Sequence, residues 1–309
     1  MAWQQTTHSP EPGVDINLNR AVARGTLKGI VQINHGMAEH AGRYERFADA
    51  LARAGYSTYA HDHRGHGHTK TPDSFVGSFA KQNGWSRVIG DVAAINALAK
   101  QENPGVPIIC LGHSMGSVIA LNYAMRNPGS ISALAMWNLG TETGALGLVF
   151  KTLLKIQRMF KGSDVPSPMV KSLTFETWNK AFQPNRTDCD WLSRDEAEVD
   201  KYIADPLCGF NVSIGLWLDV VEGIYFGADD TNLKALPKDL HVHLVAGDQD
   251  LCSDRGKAMM NIQRRMQKAG VADVTCELLA GTRHESLNEL NREETTAKFV
   301  AWLDERFAT

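Results

Sequence analysis

The sequence predicts an α/β protein in which helices flank a mostly parallel central sheet. Short apolar runs alternate with helical patterns along most of the 309 residues, which is the pattern of a parallel sheet covered by helices. The alternation stops between residues 139 and 232, where helical patterns continue without a convincing strand. A structureless loop of that length would be rare, so we interpret this region as a helical insertion. The expected division is a core of residues 1–138 and 233–309 and a cap of residues 139–232.

The elements follow in a regular order along the chain. A run over residues 14–23 is expected to form an antiparallel edge strand. The buried strands are then expected at residues 29–34, 56–60, 106–111, 131–137, 242–246 and 274–279. Helical spacing covers residues 44–54, 86–101, 115–126, 253–269 and 292–306, and an amphipathic segment spans residues 146–160 within the insertion.

The residues around Ser114 indicate a nucleophile. The sequence Gly112-His113-Ser114-Met115-Gly116 joins a predicted buried strand to a predicted helix. A sharp turn of this kind needs glycine on both sides, because a Cβ atom would collide with the neighbouring backbone. The turn exposes the serine hydroxyl above the sheet and brings the helix N-terminus beneath it, where partial positive charge favours a developing oxyanion.

A serine nucleophile needs a base and an acid that orients the base. In folds that carry the nucleophile on such a turn, the acid and then a histidine follow at the ends of later strands. His284 is the only histidine beyond residue 243, and it follows the last predicted strand. The loop after the preceding strand offers Asp248, Asp250 and Asp254. Spacing favours Asp250 over Asp248, and Asp254 is expected to begin or cap the next helix.

The loop after the strand at 29–34 is expected to supply part of an oxyanion hole. It contains Gly36, which lets the backbone approach a substrate closely. The amide nitrogen of Met37 is expected to join that of Met115 in binding the oxyanion.

A histidine-rich segment, His61-Asp62-His63-Arg64-Gly65-His66-Gly67-His68, is also compatible with a metal site. We favour a hydrogen-bonded loop beside the active site, because the segment follows a strand and is rich in glycine. The five cysteines are scattered and form no CxxC pair, which favours reduced thiols over a metal site. They are Cys110, Cys189, Cys208, Cys252 and Cys276.

Several strings of the sequence resemble one family of enzymes. They are HGMAEHAGRYERFADALARAGY, AHDHRGHGHT, LGHSMGS, AGDQDLCSDRGKA and GTRHESLNE, joined within the insertion by LSRD and YIADPL. Together they resemble the monoacylglycerol lipase and lysophospholipase group of α/β-hydrolases, which is also classed with the serine aminopeptidases. The resemblance runs in order from about residue 30 to the C-terminus.

The resemblance implies a serine hydrolase that needs neither cofactor nor metal. It assigns the nucleophile to Ser114, the acid to Asp250, the base to His284, and the oxyanion amides to Met37 and Met115. One departure concerns the residue after Gly116, which is often a second glycine in the family and is Ser117 here. The insertion also differs in detail from the animal monoacylglycerol lipases, so acyl-chain length and head group do not transfer.

The expected reaction is hydrolysis of a small lipid ester, such as a monoacylglycerol or a lysophospholipid, through an acyl-enzyme. An aminopeptidase on the same scaffold would need an acidic pocket, for which Glu39, Glu142 and the acids at 195–200 are candidates. A small-ester or thioester hydrolase would share every catalytic residue, and a binding protein without turnover is a further alternative. Epoxide hydrolases and dehalogenases are disfavoured because they carry an aspartate where Ser114 stands.

The composition and the hydropathy pattern exclude some classes of partner and of cellular location. A formal net charge of −3 leaves no excess of basic residues for a nucleic acid. The N-terminal residues show neither the basic nor the apolar region of a secretory signal, and no stretch approaches the roughly 20 apolar residues of a membrane span. A cytoplasmic protein is therefore expected, with transient membrane-surface contact through an apolar rim of the cap.

Overall fold

The computed structural model describes residues 3–140 and 143–308. Their strands form one eight-stranded sheet in the order β1-β2-β4-β3-β5-β6-β7-β8. The strands are β1 (Gln4–Glu11), β2 (Val14–Ala21), β3 (Gly29–Asn34), β4 (Tyr56–His61), β5 (Ile108–His113), β6 (Ala133–Trp137), β7 (His241–Gly247) and β8 (Asp273–Leu279). Strands β3 to β8 pair in parallel, while β1 and β2 are antiparallel.

Helices separate most of these strands and follow the last one. They are α1 (Glu45–Arg53), α2 (Gly84–Glu102), α3 (Met115–Arg126), α4 (Ala145–Lys161), α5 (Pro168–Lys171), α6 (Thr177–Lys180), α7 (Glu196–Ala204), α8 (Ile214–Gly227), α9 (Asp230–Leu233), α10 (Lys257–Lys268) and α11 (Arg292–Phe307). The chain also has 3₁₀ turns at Ala41–Tyr44 and Ser286–Asn288 and a π turn at Ser172–Glu176.

The sheet is covered on both faces, which explains its continuous apolar strands. Along β5, Ile108 and Cys110 join a core with helices α2, α3 and α10. The alternate residues Ile109 and Leu111 join a second core with helices α1 and α11. This two-sided burial confirms the predicted fold class, a mostly parallel sheet flanked by helices.

The predicted edge strand is antiparallel, but it does not lie at the edge. Strand β2 pairs with β4 on one side and with β1 on the other. Strand β1 has the polar sequence QQTTHSPE and is mostly exposed, so it lacks the apolar alternation by which a strand is recognised. Gly13, with φ of +82°, forms the turn between the two strands. The prediction of an edge position for residues 14–23 was therefore wrong.

The region between β6 and β7 is helical where the structure describes it. Helix α4 coincides closely with the predicted amphipathic segment at 146–160, and α8 packs on α3, α2 and α4. The division into a core of 1–138 and 233–309 and a cap of 139–232 stays a prediction, and we use the term cap for residues 139–232. In the described part of the chain, no helix combines the length and apolarity needed to cross a membrane.

Candidate active site

The turn between β5 and α3 holds Ser114 in an unusual backbone conformation. Ser114 has φ of 54° and ψ of −120°, a region that costs energy for any residue with a side chain. A Cβ atom on Gly112 would lie 2.1 Å from the carbonyl oxygen of Gly116, and one on Gly116 would lie 2.0 Å from that of Asn34. Only glycine fits at these two positions, so the local sequence dictates the sharp turn that presents the Ser114 hydroxyl.

Ser117 ties the first turn of α3 to the sheet. Its hydroxyl lies 2.6 Å from the carbonyl oxygen of Gly112 and 2.9 Å from that of Trp137, and the amide of Trp137 donates to it at 2.9 Å. The side chain is fully buried. The residue by which this chain departs from the family pattern therefore braces the turn that carries Ser114.

We expect the substitution Ser117→Ala to lower the free energy of unfolding by about 1–3 kcal/mol, because the buried carbonyl of Gly112 and the buried amide of Trp137 lose their hydrogen bond to the hydroxyl. The measurement is urea unfolding followed by tryptophan fluorescence. Thr58→Val is the matched control, since it removes a buried hydroxyl that makes no hydrogen bond within the described part of the chain. Equal stability of the wild type and the Ser117 variant would contradict this bracing role.

The ends of three strands bring Ser114, His284 and Asp250 together. The Nε2 atom of His284 lies 2.9 Å from Oγ of Ser114, and its Nδ1 atom lies 2.9 Å from Oδ1 of Asp250. The side chains of His284 and Asp250 are only 4% and 0% exposed. These three residues thus form a hydrogen-bonded series at the carboxyl edge of the sheet.

Asp250 stays ionised because its partners outweigh its burial. Burial alone raises the pKa of this carboxyl, but attraction to His284 and hydrogen bonds from His284, Ser253 and Asn138 bring the pKa below its ordinary value. The amide nitrogen of Asn138 donates to Oδ2 at 3.1 Å, and the backbone amide of Cys252 donates to Oδ1 at 3.0 Å. Asn138 was not among the predicted site residues, although its position directly after β6 is the signal that could have found it.

The other two candidates for the acid, Asp248 and Asp254, make contacts with other residues than His284. Asp248 accepts a hydrogen bond from Gln249 at 3.2 Å. Asp254 is exposed and pairs with Lys257 at 3.2 Å. The expectation that Asp254 begins or caps the next helix was wrong, because α10 begins at Lys257 with Gly256 as its N-cap. Asp250 is the carboxylate of this loop that reaches His284.

The loop after β3 lies against the Ser114 turn. Met37 and Met115 line the same cavity as Ser114. A Cβ atom on Gly36 would lie 2.7 Å from Oε1 of Glu39 and 3.1 Å from Nδ1 of His113. Glycine at position 36 therefore allows the loop to lie close to Glu39 and His113. The roles of the Met37 and Met115 amides in binding an oxyanion stay a prediction.

Glu39 is part of a buried ion network that the sequence did not reveal. It accepts hydrogen bonds from the Gly36 amide at 2.5 Å, the Tyr44 hydroxyl at 2.9 Å and Arg43 at 2.6 Å. Arg43 also forms a bidentate pair with Glu285, at 2.6 and 2.7 Å. Burial raises the pKa of Glu39, but Arg43 and then His113 bring it well below its ordinary value. The network links the loop after β3 to the residue that follows His284.

The acids considered for an amine-binding pocket are paired with arginines in the described part of the chain. Glu39 contacts Arg43, as above. Within residues 195–200, the carboxylates of Asp195, Glu198 and Asp200 pair with Arg292, Arg46 and Arg186 at 2.6, 2.9 and 2.7 Å. Glu142 lies outside the described residues. None of these described pairs offers an unpaired carboxylate for a substrate amine.

The histidine-rich loop is held mainly by its charged residues. Asp62 accepts hydrogen bonds from the backbone amides of Ala41 and His68, both at 2.8 Å. Arg64 pairs with Asp91 at 2.7 Å. Burial lowers the pKa of His61 to about 3, so this imidazole is neutral at physiological pH. The loop is hydrogen-bonded as predicted, although its imidazoles contribute little to the bonding.

One group of side chains within the described residues brings three metal-binding atoms within 4.8 Å of one another: His40, Asp205 and Cys208. Nε2 of His40 already donates to Asp205 at 2.9 Å, and Nδ1 accepts the Gly42 amide at 3.2 Å. Burial raises the pKa of the Cys208 thiol, which opposes the thiolate that a metal requires. The group is therefore better explained as a contact between the loop after β3 and the cap.

A cavity of about 1050 Å³ opens beside Ser114 and His284. Its apolar wall comes from α3 and the cap and includes Val118, Phe150, Leu153, Trp217, Val220 and Ile224. Small-molecule sites are concave and mostly apolar, with few polar groups. The cavity thus combines a hydrogen-bonded serine with a large space whose wall is mostly apolar.

Comparison with known proteins gives consistent matches. The chain matches the family model described as serine aminopeptidase, S33, over residues 25–291. Monoglyceride lipase of Homo sapiens is 30% identical over 294 residues, which cover 92% of this chain and 85% of that protein. Monoacylglycerol lipase of Mycolicibacterium smegmatis is 27% identical over 277 residues, covering 89% of this chain and 88% of that protein.

Solved structures share the fold. A thermostable carboxyl esterase from Bacillus coagulans superposes with a TM-score of 0.86 at 22% identity, covering 99% of each chain. A soluble variant of monoglyceride lipase from Saccharomyces cerevisiae superposes with a TM-score of 0.78 at 19% identity, covering 100% of this chain and 97% of that chain. The chain therefore belongs to the serine aminopeptidase S33 family and is a monoacylglycerol lipase-like α/β-hydrolase, as its motifs predict.

Proposed function

We propose that this protein is a serine carboxylic-ester hydrolase that cleaves a small lipid ester through an acyl-enzyme. The observation that carries the proposal is the series Ser114–His284–Asp250, with 2.9 Å at each step, on the wall of an apolar cavity. A serine hydroxyl becomes nucleophilic when a base removes its proton and a third group orients that base.

In the acylation step, Ser114 attacks the ester carbonyl carbon while its proton passes to Nε2 of His284. Asp250 keeps the imidazole in the orientation that accepts this proton and stabilises the imidazolium that forms. The amides of Met37 and Met115 bind the negative oxygen of the tetrahedral intermediate. His284 then donates its proton to the leaving alcohol, and the C–O bond breaks.

In the deacylation step, His284 removes a proton from a water molecule, which attacks the acyl carbon. The second tetrahedral intermediate collapses, the proton returns to Ser114, and the carboxylic acid leaves. The residues named here supply every proton transfer of the cycle.

The cavity favours a substrate with an acyl chain. Burial of each CH₂ group contributes about 0.8 kcal/mol, and helices α3, α4 and α8 line the cavity with apolar side chains. The relatives named monoglyceride lipase support a monoacylglycerol, and a lysophospholipid has the same single chain. The arginine pairs of Glu39 and of the acids at 195–200 make an aminopeptidase the weaker alternative.

The test compares hydrolysis of four substrate classes: p-nitrophenyl esters of short and long acids, monoacylglycerols, lysophospholipids and aminoacyl anilides. We expect the highest kcat/KM on long-chain monoesters. Faster hydrolysis of anilides would favour the peptidase, and a preference for short p-nitrophenyl esters would favour a small-ester hydrolase. Ligand binding without turnover of any class would contradict the enzymatic proposal.

We also propose that the cap makes transient contact with an anionic membrane surface through α4. This helix exposes Ile156, Met159 and Phe160, with 46%, 81% and 83% of their surface accessible. It also carries four basic residues and no acidic one: Lys151, Lys155, Arg158 and Lys161. Apolar insertion combined with basic residues is typical of interfacial helices. Because α4 also lines the cavity, such contact would bring lipid close to the site.

We expect the protein to co-sediment with vesicles of phosphatidylcholine and phosphatidylserine, more weakly at high salt, and little with phosphatidylcholine alone. The double substitution Met159→Asp and Phe160→Asp should abolish sedimentation by removing the exposed apolar pair. Leu290→Asp is the matched control, because Leu290 is 61% exposed on another segment. Equal binding by both variants would contradict a contact through α4.

A further inference from the structure

We propose that Trp191 is a positioning residue whose indole ring stabilises the charged form of His284 during turnover. This proposal rests on the proposed function, in which His284 is the base. The centroids of the two rings lie 4.9 Å apart, and their planes are inclined by 36°. A cation within about 6 Å of an indole centroid is attracted by the ring quadrupole. Trp191 belongs to the cap, so the predicted cap completes the environment of the base.

The contact is held from both sides by hydrogen bonds to the backbone of the cap, one set from the Arg283 guanidinium and one from the Glu285 amide. Arg283, which precedes His284, donates to the carbonyl oxygens of Asp190 and Ser193 at 2.5 and 3.1 Å. The amide of Glu285, which follows His284, donates to the carbonyl oxygen of Leu192 at 2.8 Å. The two neighbours of His284 thus bind the residues that surround Trp191, and this fixes the distance between the rings.

The indole is also supported from behind. The ring of Phe175 stacks on Trp191 with centroids 5.3 Å apart and planes inclined by 11°. The ring of Trp178 lies 5.1 Å from Trp191. The backbone amide of Trp191 donates to Oδ1 of Asn179 at 3.0 Å. Trp191 is 8% exposed, so little of its side chain is accessible to solvent.

Burial disfavours charge, so a charged base in a buried site depends on favourable neighbours. Asp250 compensates at Nδ1, and the indole face adds a second favourable interaction that is strongest when the ring is charged. Other titratable and charged groups also surround His284: Asp250, His113, Glu285, Arg283, Arg43 and Glu39. None of them is changed when Trp191 is replaced.

Removing the indole has two opposite consequences for the pH dependence of kcat/KM. Loss of the ring attraction disfavours the imidazolium, which moves the acid limb of the profile to lower pH. Loss of burial alone favours the imidazolium through better hydration, which moves that limb to higher pH. The direction of the shift therefore separates a positioning role from simple shielding.

The experiment replaces Trp191 with tryptophans carrying one to four ring fluorines, which withdraw electron density with little change of shape. We expect kcat/KM on a p-nitrophenyl ester to fall, and the acid limb to move to lower pH, progressively with fluorine number. Trp191→Leu should approach the full effect, a loss of about 2- to 30-fold and a shift of about 0.4–1.5 pH units.

Trp178 is the matched control for the fluorinated series. It belongs to the same aromatic cluster, but its centroid lies 6.3 Å from that of His284, so fluorination there should leave the acid limb in place. Activity independent of fluorination at position 191, or an acid limb that moves to higher pH in Trp191→Leu, would overturn the inference. If His284→Ala keeps its turnover, the proposed function itself fails; if only the fluorine series is flat, Trp191 alone is misassigned.

Discussion

The substitution Ser114→Ala is expected to lower kcat/KM for ester hydrolysis by about 10⁴- to 10⁶-fold. The alanine variant has no oxygen that can form the acyl-enzyme, and its oxyanion amides and cavity can supply only the residual acceleration that substrate binding gives. The measurement is hydrolysis of a p-nitrophenyl ester and of a monoacylglycerol under identical conditions. His284→Ala should cause a loss of the same order, since Ser114 and His284 act as one unit.

The fold of the Ser114 variant should be retained. Alanine must adopt the same positive φ of 54° as the native serine, so the backbone cost is similar in both proteins. Thermal unfolding should therefore show comparable midpoints. A fluorophosphonate probe should label the wild type at Ser114 and leave the alanine variant unlabelled. Ester turnover within tenfold of the wild type would exclude Ser114 as the nucleophile.

The substitution Asp250→Asn is expected to lower kcat by about 10⁴-fold. An amide carries no charge to stabilise the imidazolium of His284. The amide also has only one acceptor oxygen. In the native carboxylate both oxygens accept hydrogen bonds: Oδ1 from Nδ1 of His284 and from the Cys252 amide, and Oδ2 from the side chain of Asn138. One orientation of the amide directs its NH₂ group at Nδ1 of His284, which disturbs the orientation of the base, and the other directs it at the side-chain amide of Asn138.

Asp248→Asn is the control for the acid assignment, because Asp248 lies two residues away and contacts Gln249 instead of His284. Its kcat should stay within about twofold of the wild type, since surface substitutions outside a site have small effects. The comparison uses kcat on one ester across a pH range. If Asp248→Asn abolished activity while Asp250→Asn did not, the acid would be misassigned.

Much of the central sheet could be predicted because a parallel strand buried on both faces is apolar throughout. Strands β3 and β5 stand out for this reason, whereas the exposed polar strand β1 does not. The turn at Ser114 could also be predicted, since glycines flank the serine on both sides. A Cβ atom on Gly112 would collide with the turn itself, and one on Gly116 would collide with the neighbouring strand β3. The base could be predicted because His284 is the only histidine beyond residue 243 and it follows the last strand.

The choice among Asp248, Asp250 and Asp254 depended on how their loop folds. Asp254 and Arg255 adopt φ values of 49° and 54°, and Gly256 adopts 83°. These residues delay the start of α10, and the loop they form turns Asp250 toward His284. Spacing favoured Asp250, but side-chain directions in an irregular loop are set by its contacts and not by sequence periodicity.

The sequence by itself determined the order of the elements, the strained turn at Ser114 and the candidate base, because each depends on neighbouring residues or on strand order. The tertiary structure decided which distant groups complete the site. Asn138 reaches Asp250 across 112 positions, Arg43 reaches Glu285 across 242, and the ring of Trp191 meets that of His284. Such contacts leave no local pattern, since they form only when packing of the sheet and the cap brings the segments together.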